Sequence, residues 1–276
     1  MEPTILYALD FDGVICDSAV ETGMTGWKAA AQLWHDMPKA IPSTILIDRF
    51  RQVRPIIETG YEAILAMRLL HQDMSVETIL NDFFTQKQAL LDQTDTTEDD
   101  LKKRFGAVRD AWIEDSLDDW IAMNPLFPNV AEKLKTLTEQ DLCYIVTTKQ
   151  ERFVASILKA NGITLSADKI FGLDRNKSKE TVLTGLMAQY PQRTFYFVED
   201  RLPTLLKVLA NDRLANVNLL FASWGYNTAD DKQQALRHPI KIISLKDFIL
   251  IVDQNSAHHL ALGEGPKLEV RKVYKL

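Results

Sequence analysis

Two carboxylates, Asp10 and Asp12, stand two residues apart in Leu9-Asp10-Phe11-Asp12-Gly13-Val14, directly after an apolar run. Like charges this close repel, so a site that keeps both supplies a cation or shares a proton between them. An oxygen-only set suits a hard ion such as magnesium. Gly13 lets the chain turn sharply beside a ligand. Taken alone, the same residues also fit a solvated turn at a strand end. A calcium-binding EF-hand loop fits poorly, because Phe11, Val14 and Ile15 fall where such loops are polar.

Three further groups fall at comparable places. Thr147-Thr148-Lys149 follows the run Tyr144-Ile145-Val146, Lys177-Ser178-Lys179 precedes a helical pattern, and Glu199-Asp200 follows Phe195-Tyr196-Phe197-Val198. Each alone is ordinary, since a threonine there commonly caps a helix and a lysine is commonly solvated. Together they offer an oxygen nucleophile, a metal site and donors for equatorial oxygens, which is what phosphoryl transfer requires. Arg51, Arg54, Glu58 and Tyr61 share roughly one side of a helical stretch. They are candidates for a specificity face, with an arginine taking a substrate carboxylate or second phosphate. The same spacing fits a solvated face carrying an Arg54–Glu58 pair.

The elements that must position these residues can be read from periodicity. Apolar runs at 4–10, 142–146, 194–198, 217–222 and 240–243 have the character of strands buried on both faces of a parallel sheet. Helical patterns lie between them at about 151–160, 180–189 and 203–211, the first stopped by Asn161-Gly162. Strands alternating with helices predict a doubly wound α/β domain. Residues 18–125 read differently: Val20, Met24, Trp27, Ala31 and Trp34 form a helical stripe, and Ile56, Ile64, Met67 and Leu70 form another, with Pro55 at its first turn. Further helical stretches fall near 76–91 and 101–120, separated by an acidic, Thr-rich turn at 92–100. The expected organisation is therefore an α/β core from 1–17 and 126–253, a helical insert from 18–125, and a tail from 254–276. In that tail Gly263-Glu264-Gly265-Pro266 breaks any regular element, leaving an edge strand, an arm or a loose end as the readings.

Composition narrows the function classes. A net charge of −6 and a pI near 5.5 argue against a nucleic-acid binder, which needs a Lys/Arg excess. Cys16 and Cys143 are the only cysteines, each in an apolar setting, so buried reduced thiols are expected. The N-terminal run is interrupted by Asp10 and does not read as a signal peptide, and no apolar stretch is long enough to span a bilayer. A cytoplasmic protein without membrane partners is the expectation. The five histidines show no zinc-ligand spacing outside His258-His259.

With these residues in order along the chain, the sequence resembles the haloacid dehalogenase superfamily in its phosphatase branch. The match is most specific at Leu9-Asp10-Phe11-Asp12-Gly13-Val14 and covers about residues 4–252, with the helical insert in the place of that family's cap. Asp17-Ser18 and Ser223-Trp224-Gly225-Tyr226 also look like its phosphoglycolate phosphatase-type members. The resemblance implies a Rossmann-like fold with a helical cap, and Mg2+ held by Asp10, Asp12 (through its carbonyl), Asp200 and Glu199. It implies Asp10 as nucleophile, Asp12 as acid and base, and Thr147 and Lys179 as partners of the phosphoryl group, with Lys177 competing for the lysine role. Thr148, Arg51 and Arg54 complete the expected substrate contacts. The family's frequent second aspartate, four residues after Asp200, is Thr204 here, which places more weight on Glu199. The resemblance implies a phosphatase acting on a small phosphorylated metabolite as a monomer or homodimer. A phosphomutase and a non-enzymatic phospho-ligand binder are the alternatives; dehalogenation is disfavoured because Asp12 is present.

Overall fold

A computed structural model describes residues 5–94 and 96–251. Its centre is a six-stranded sheet of β1 (Ile5–Leu9), β2 (Cys143–Val146), β3 (Ile170–Phe171), β4 (Thr194–Glu199), β5 (Asn218–Ala222) and β6 (Lys241–Ile243). All neighbours pair in parallel, in the order β3-β2-β1-β4-β5-β6. Pure parallel pairing buries both faces, which is why the strands read as continuous apolar runs. Side chains alternate between faces all the same. Tyr7, Leu9, Ile145 and Val198 enter one cluster, while Leu6, Ala8, Val146 and Phe197 enter the other.

The chain leaves β1 for a long excursion before β2. It forms α1 (Ala19–Leu33), α2 (Thr44–Val53), α3 (Glu62–His71), α4 (Val76–Asp92), α5 (Glu98–Asp115) and α6 (Leu117–Ala122). Among the described residues no named strand lies in this excursion. Its own apolar cluster, from Trp27 to Val108, draws every buried member from these helices and the loops joining them. Trp112 and Trp120 pack instead into the cluster beneath the sheet, so the last two helices tie the insert to the core. The two crossings run side by side: Asp17 N–H donates to Pro125 O at 2.8 Å, and Phe127 N–H to Ile15 O at 3.0 Å.

After the excursion come α7 (Val130–Glu139), α8 (Glu151–Ala160), α9 (Lys179–Gln189), α10 (Leu202–Leu209), α11 (Ala229–Ala235) and α12 (Leu245–Leu250). The sheet order places β1 at the switch point, with β2 and β4 on either side. Open α/β sheets bind ligands beyond the strand carboxyl ends at such a point. Leu9 stands opposite both Ile145 and Val198, so the residues just past these three strands emerge at one edge.

Several elements differ from the sequence expectation. The stripe through Ile56 and Leu70 is broken in two: residues 54–56 form one turn of 3-10 helix, and α3 starts at Glu62. Pro55 has no N–H to continue the preceding helix. At Gly60 an added Cβ would lie 2.6 Å from the Phe105 ring. The intervening loop carries Ile57 and Glu58 to the strand edge. The patterns also missed α2 and the two-residue strand β3, and Ser116 splits the stretch at 101–120 by capping α6. Cys16 and Cys143 are buried thiols. No described helix is long and apolar enough to cross a membrane. The tail expected from 254–276 lies outside the described residues.

Candidate functional site

Asp10 is the first residue beyond β1, and its N–H donates to Val198 O at 2.9 Å, continuing the ladder for one step. Its carboxylate is thereby aimed at the end of β4, where Glu199 and Asp200 are buried. The three acids bring ligand atoms within 4.8 Å of one another. Lys179, at the first turn of α9, enters from the side: its Nζ lies 2.9 Å from Asp10 Oδ1 and donates to Glu199 Oε2 at 2.7 Å. It is therefore Lys179 that reaches Asp10, while Lys177 stays exposed at the rim of the same cavity.

The electrostatics of this cluster do not close. Of three buried carboxylates, only Asp10 and Glu199 meet the single lysine, Lys179. Burial, and next the charge of Glu199, push Asp10 up to about 7 against the pull of Lys179. Burial, Glu199 and Asp10 push Asp200 well above the carboxylate range. Lys179 moves upward, because Asp10 and Glu199 together outweigh its own burial. Asp10 Oδ1 makes no hydrogen bond despite its proximity to Lys179, and Asp200 Oδ1 makes none either. Glu199, by contrast, is engaged at both oxygens, since Oε1 accepts Arg201 N–H at 3.0 Å. An unpartnered Asp200 Oδ1 beside an Asp10 Oδ1 met only by Lys179, with excess negative charge, fits a hard divalent cation.

The backbone around Asp200 is shaped for that role. Asp200 Oδ2 accepts Tyr226 N–H at 2.5 Å, which turns Oδ1 away from the Tyr226 loop. Gly13, at φ +86°, packs so closely that an added Cβ would lie 2.0 Å from Asp200 Oδ2. At Gly225 a Cβ would meet Gly13 O at 2.3 Å and Asp200 Cβ at 2.4 Å. Both glycines let two loops close around one carboxylate. Thr204, which stands where a further acid was weighed, is buried and lines the cavity.

Asp12 faces the cavity with a different environment. Its Oδ1 accepts Lys149 Nζ at 3.1 Å, and the Lys149 side chain is wholly buried. Burial pushes Asp12 up, but Lys149, then Arg54 and Arg109, outweigh it and hold the carboxyl below its usual range. Thr147 follows β2; its Oγ1 accepts Lys149 N–H at 3.1 Å, leaving the hydroxyl proton for the cavity.

A cavity of about 350 Å3 joins these residues to the insert. Asp10, Asp12, Thr147, Thr148, Lys179 and Asp200 line it from the core, and Arg54, Ile57 and Glu58 from the insert. Thr148 Oγ1 donates to Glu58 O at 2.9 Å and so braces the two parts together. The Arg54 guanidinium lies 4.2 Å from the Tyr226 ring centre and donates to Ile57 O at 3.0 Å, with its buried Nε unpartnered. Arg51 stands outside the cavity, 3.4 Å from Asp17 Oδ2, while Asp17 Oδ1 accepts the Tyr226 hydroxyl at 2.9 Å. Glu58 pairs with Arg201 and Lys207 of the core rather than forming the i,i+4 pair its spacing to Arg54 allowed. Sequence reasoning gave no role to Lys149, Arg201 or Lys207. The signal for Lys149 was its place two residues after Thr147 in a segment already singled out; Arg201 and Lys207 had none.

No family model matches this sequence, and no curated relative does. Solved structures do match in fold. A provisionally assigned phosphoglycolate phosphatase of Lactobacillus delbrueckii subsp. bulgaricus superposes with a TM-score of 0.56 at 12% identity, over 89% of this chain and 96% of its own. A predicted phosphoglycolate phosphatase of Haemophilus somnus gives 0.52 at 18% identity, over 84% and 92%. A haloacid dehalogenase-like hydrolase of Streptococcus pneumoniae gives 0.51 at 17% identity, over 88% and 94%. Likeness at such low identity is likeness of fold. By fold, the chain is a haloacid dehalogenase-type α/β protein with a helical insertion after its first strand.

Proposed function

We propose that this chain is a magnesium-dependent phosphatase that hydrolyses a small phosphorylated metabolite through an aspartyl-phosphate on Asp10. The observation that carries this reading is the buried, uncompensated cluster of Asp10, Glu199 and Asp200, open to a cavity that also holds Asp12 and Thr147. In the first half-reaction an Asp10 carboxylate oxygen attacks phosphorus as the bond to the ester oxygen breaks. The departing alkoxide takes its proton from Asp12, whose carboxyl lies below the usual range in the free protein and is raised to carry that proton by the negative charge of the bound phosphoryl group. In the second half Asp12, now ionised, takes a proton from water as the water oxygen attacks phosphorus. The bond to Asp10 breaks, phosphate leaves, and Asp12 is again protonated.

Lys149 fixes the Asp12 carboxyl for both transfers. The Thr147 hydroxyl and the Lys179 ammonium donate to phosphoryl oxygens, and Glu199 holds Lys179 in place. Asp10, Asp200 and the Asp12 carbonyl, together with Glu199, would hold a magnesium ion, which would supply positive charge for the phosphoryl oxygens. Arg54 and Thr148 face the rest of the substrate, and Arg51 acts from outside through Asp17 and Tyr226. In this reading residues 1–17 and 126–253 form the catalytic core and 18–125 the cap that sets specificity.

The test is phosphate release from a panel of phosphorylated metabolites and an aryl phosphate, with magnesium and with chelator. Release only with magnesium, abolished by Asp10→Asn, is expected. Full turnover in Asp10→Asn overturns the covalent route.

A further inference from the structure

The phosphoryl end of the cavity is occupied by the groups above; its outer end holds others. Arg201, at the start of α10, and Lys207, in that helix's last turn, both line the cavity from the core. The Arg201 side chain is only 15% exposed, and its Nε is buried without a hydrogen bond. The group facing them is Glu58 of the insert: Arg201 NH1 lies 3.5 Å from Oε2, and Lys207 Nζ lies 3.6 Å from Oε1. Each carboxylate oxygen thus faces one cation, at a separation longer than a firm charge-assisted hydrogen bond.

The Glu58 backbone is held much more tightly than its carboxylate. Its N–H donates to Glu62 Oε2 at 2.7 Å, and its carbonyl accepts Thr148 Oγ1 at 2.9 Å. A half-exposed carboxylate on a fixed backbone therefore rests loosely on two cations that line the cavity. Pairs this long, with Glu58 and Lys207 about half exposed, hold weakly. An incoming anion that offers shorter contacts, including one to Arg201 Nε, competes with Glu58 on favourable terms.

We propose that Arg201 and Lys207 form a second anion subsite, which takes a second negatively charged group of the substrate. Glu58 occupies the subsite until that group displaces it. The inference deepens the phosphatase reading and rests on it: the ligands are phosphomonoesters bearing another anionic group at the far end. Glu58 thereby discriminates, since a monoester with a neutral tail has nothing to displace it with.

The test uses binding, so that it does not depend on turnover. Calorimetry with the full chain and magnesium compares propylphosphonate with two ligands of equal chain length, phosphonopropionate and propylenebisphosphonate. The wild type is expected to bind at least one doubly anionic ligand roughly tenfold more tightly than propylphosphonate. Which of the two is favoured tells a carboxylate from a phosphate. Lys207→Gln, on an exposed part of α10, and Arg201→Gln each reduce that ratio, and Glu58→Gln increases it. Equal binding of all three ligands by the wild type, or a ratio untouched by both cation substitutions, overturns the subsite. A ratio that falls in Glu58→Gln overturns the displacement. Aryl phosphate hydrolysis, measured alongside, tests the phosphatase reading separately: its absence removes that reading while the binding ratio still decides the subsite.

Discussion

Two buried networks in this molecule both set carboxylate against a cation, and they end in opposite states. At the junction of insert and core, Glu21 of α1 is fully buried and fully partnered. Its Oε1 accepts Thr25 Oγ1 at 2.6 Å, Arg109 Nε at 2.8 Å and Trp120 Nε1 at 3.0 Å, and its Oε2 accepts Arg109 NH2 at 2.6 Å. One carboxylate meets one guanidinium, and a threonine and a tryptophan take up the remaining acceptor capacity. Burial pushes Glu21 up, but Arg109 and then Lys149 outweigh it, so its carboxyl sits below the usual range. At the strand edge, Asp10 and Glu199 share one lysine, Asp200 has none, and two oxygens are left without hydrogen bonds. Asp10 and Asp200 shift upward instead. Buried charge is tolerated where geometry satisfies it, as at Glu21; where it is left unsatisfied, the deficit points to what the site binds.

The comparison breaks most sharply at Asp10. Asp10→Asn removes the proposed nucleophile, so phosphate release should fall to the background of the assay. Because the same change relieves an uncompensated buried charge, its melting temperature in chelator should equal or exceed that of the wild type. Magnesium should raise the wild-type melting temperature, by about 2.7 kcal/mol of stability at ~100 times its dissociation constant. Most of that rise should vanish in Asp10→Asn. A variant that melts well below the wild type in chelator contradicts the idea that this network is unbalanced.

Asp12→Asn comes next. General acid and base help is worth ~10²–10⁴-fold, so alkyl phosphate turnover should fall by that much and aryl phosphate turnover by less. Since water activation is lost as well, phosphorylated Asp10 should accumulate and appear in the intact-protein mass after mixing with an aryl phosphate. No phosphorylated species at partial turnover would count against the assigned roles.

Glu21→Ala should show the opposite profile to Asp10→Asn. Removing one partner of a buried pair leaves Arg109 uncompensated and costs about 3–5 kcal/mol. Denaturant unfolding should reveal that loss, while activity per folded molecule at low temperature stays within a few-fold of the wild type. A loss below about 1 kcal/mol would remove the contrast between the networks.

The smallest effect is the pH dependence of that contrast. Glu21 has a folded-state pKa below its unfolded value of about 4.3, so its contribution is fully present above that value. It is lost as pH falls through the lower, folded-state pKa. Between neutrality and about pH 5 the stability difference between wild type and Glu21→Gln should stay constant. It should narrow only in more acidic solution, as read from urea unfolding across pH.

Much of the scaffold was legible before any coordinates. β1, β2, β4, β5 and β6 fall on the apolar runs that mark strands buried on both faces, and α8, α9 and α10 begin within a residue of the expected positions. What periodicity missed includes two ten-residue helices, α2 and α7, as well as elements that are short or interrupted. β3 is two residues long, too brief for any alternation to register. The stripe from Ile56 to Leu70 looked continuous, but Pro55 and the close approach of Gly60 to Phe105 break it. The resulting loop is what brings Glu58 to the cavity.

The sequence by itself determined the chemistry on offer. Asp10 and Asp12 two apart after a strand, Thr147 after the next, and Glu199-Asp200 after a third must share one edge once the strands pair in parallel, because parallel pairing aligns their carboxyl ends. The tertiary structure alone decided which charges meet. Lys179 rather than Lys177 reaches Asp10, Lys149 crosses to Asp12, and Arg54 stacks on Tyr226 while Arg51 turns away to Asp17. Arg201 and Lys207 meet Glu58 across the cavity, Lys207 while still half exposed. These choices depend on rotamers and on contacts between residues distant in sequence, and neither leaves a period in the chain. A long cationic side chain can place its charge in many positions, and only the packing around it selects one.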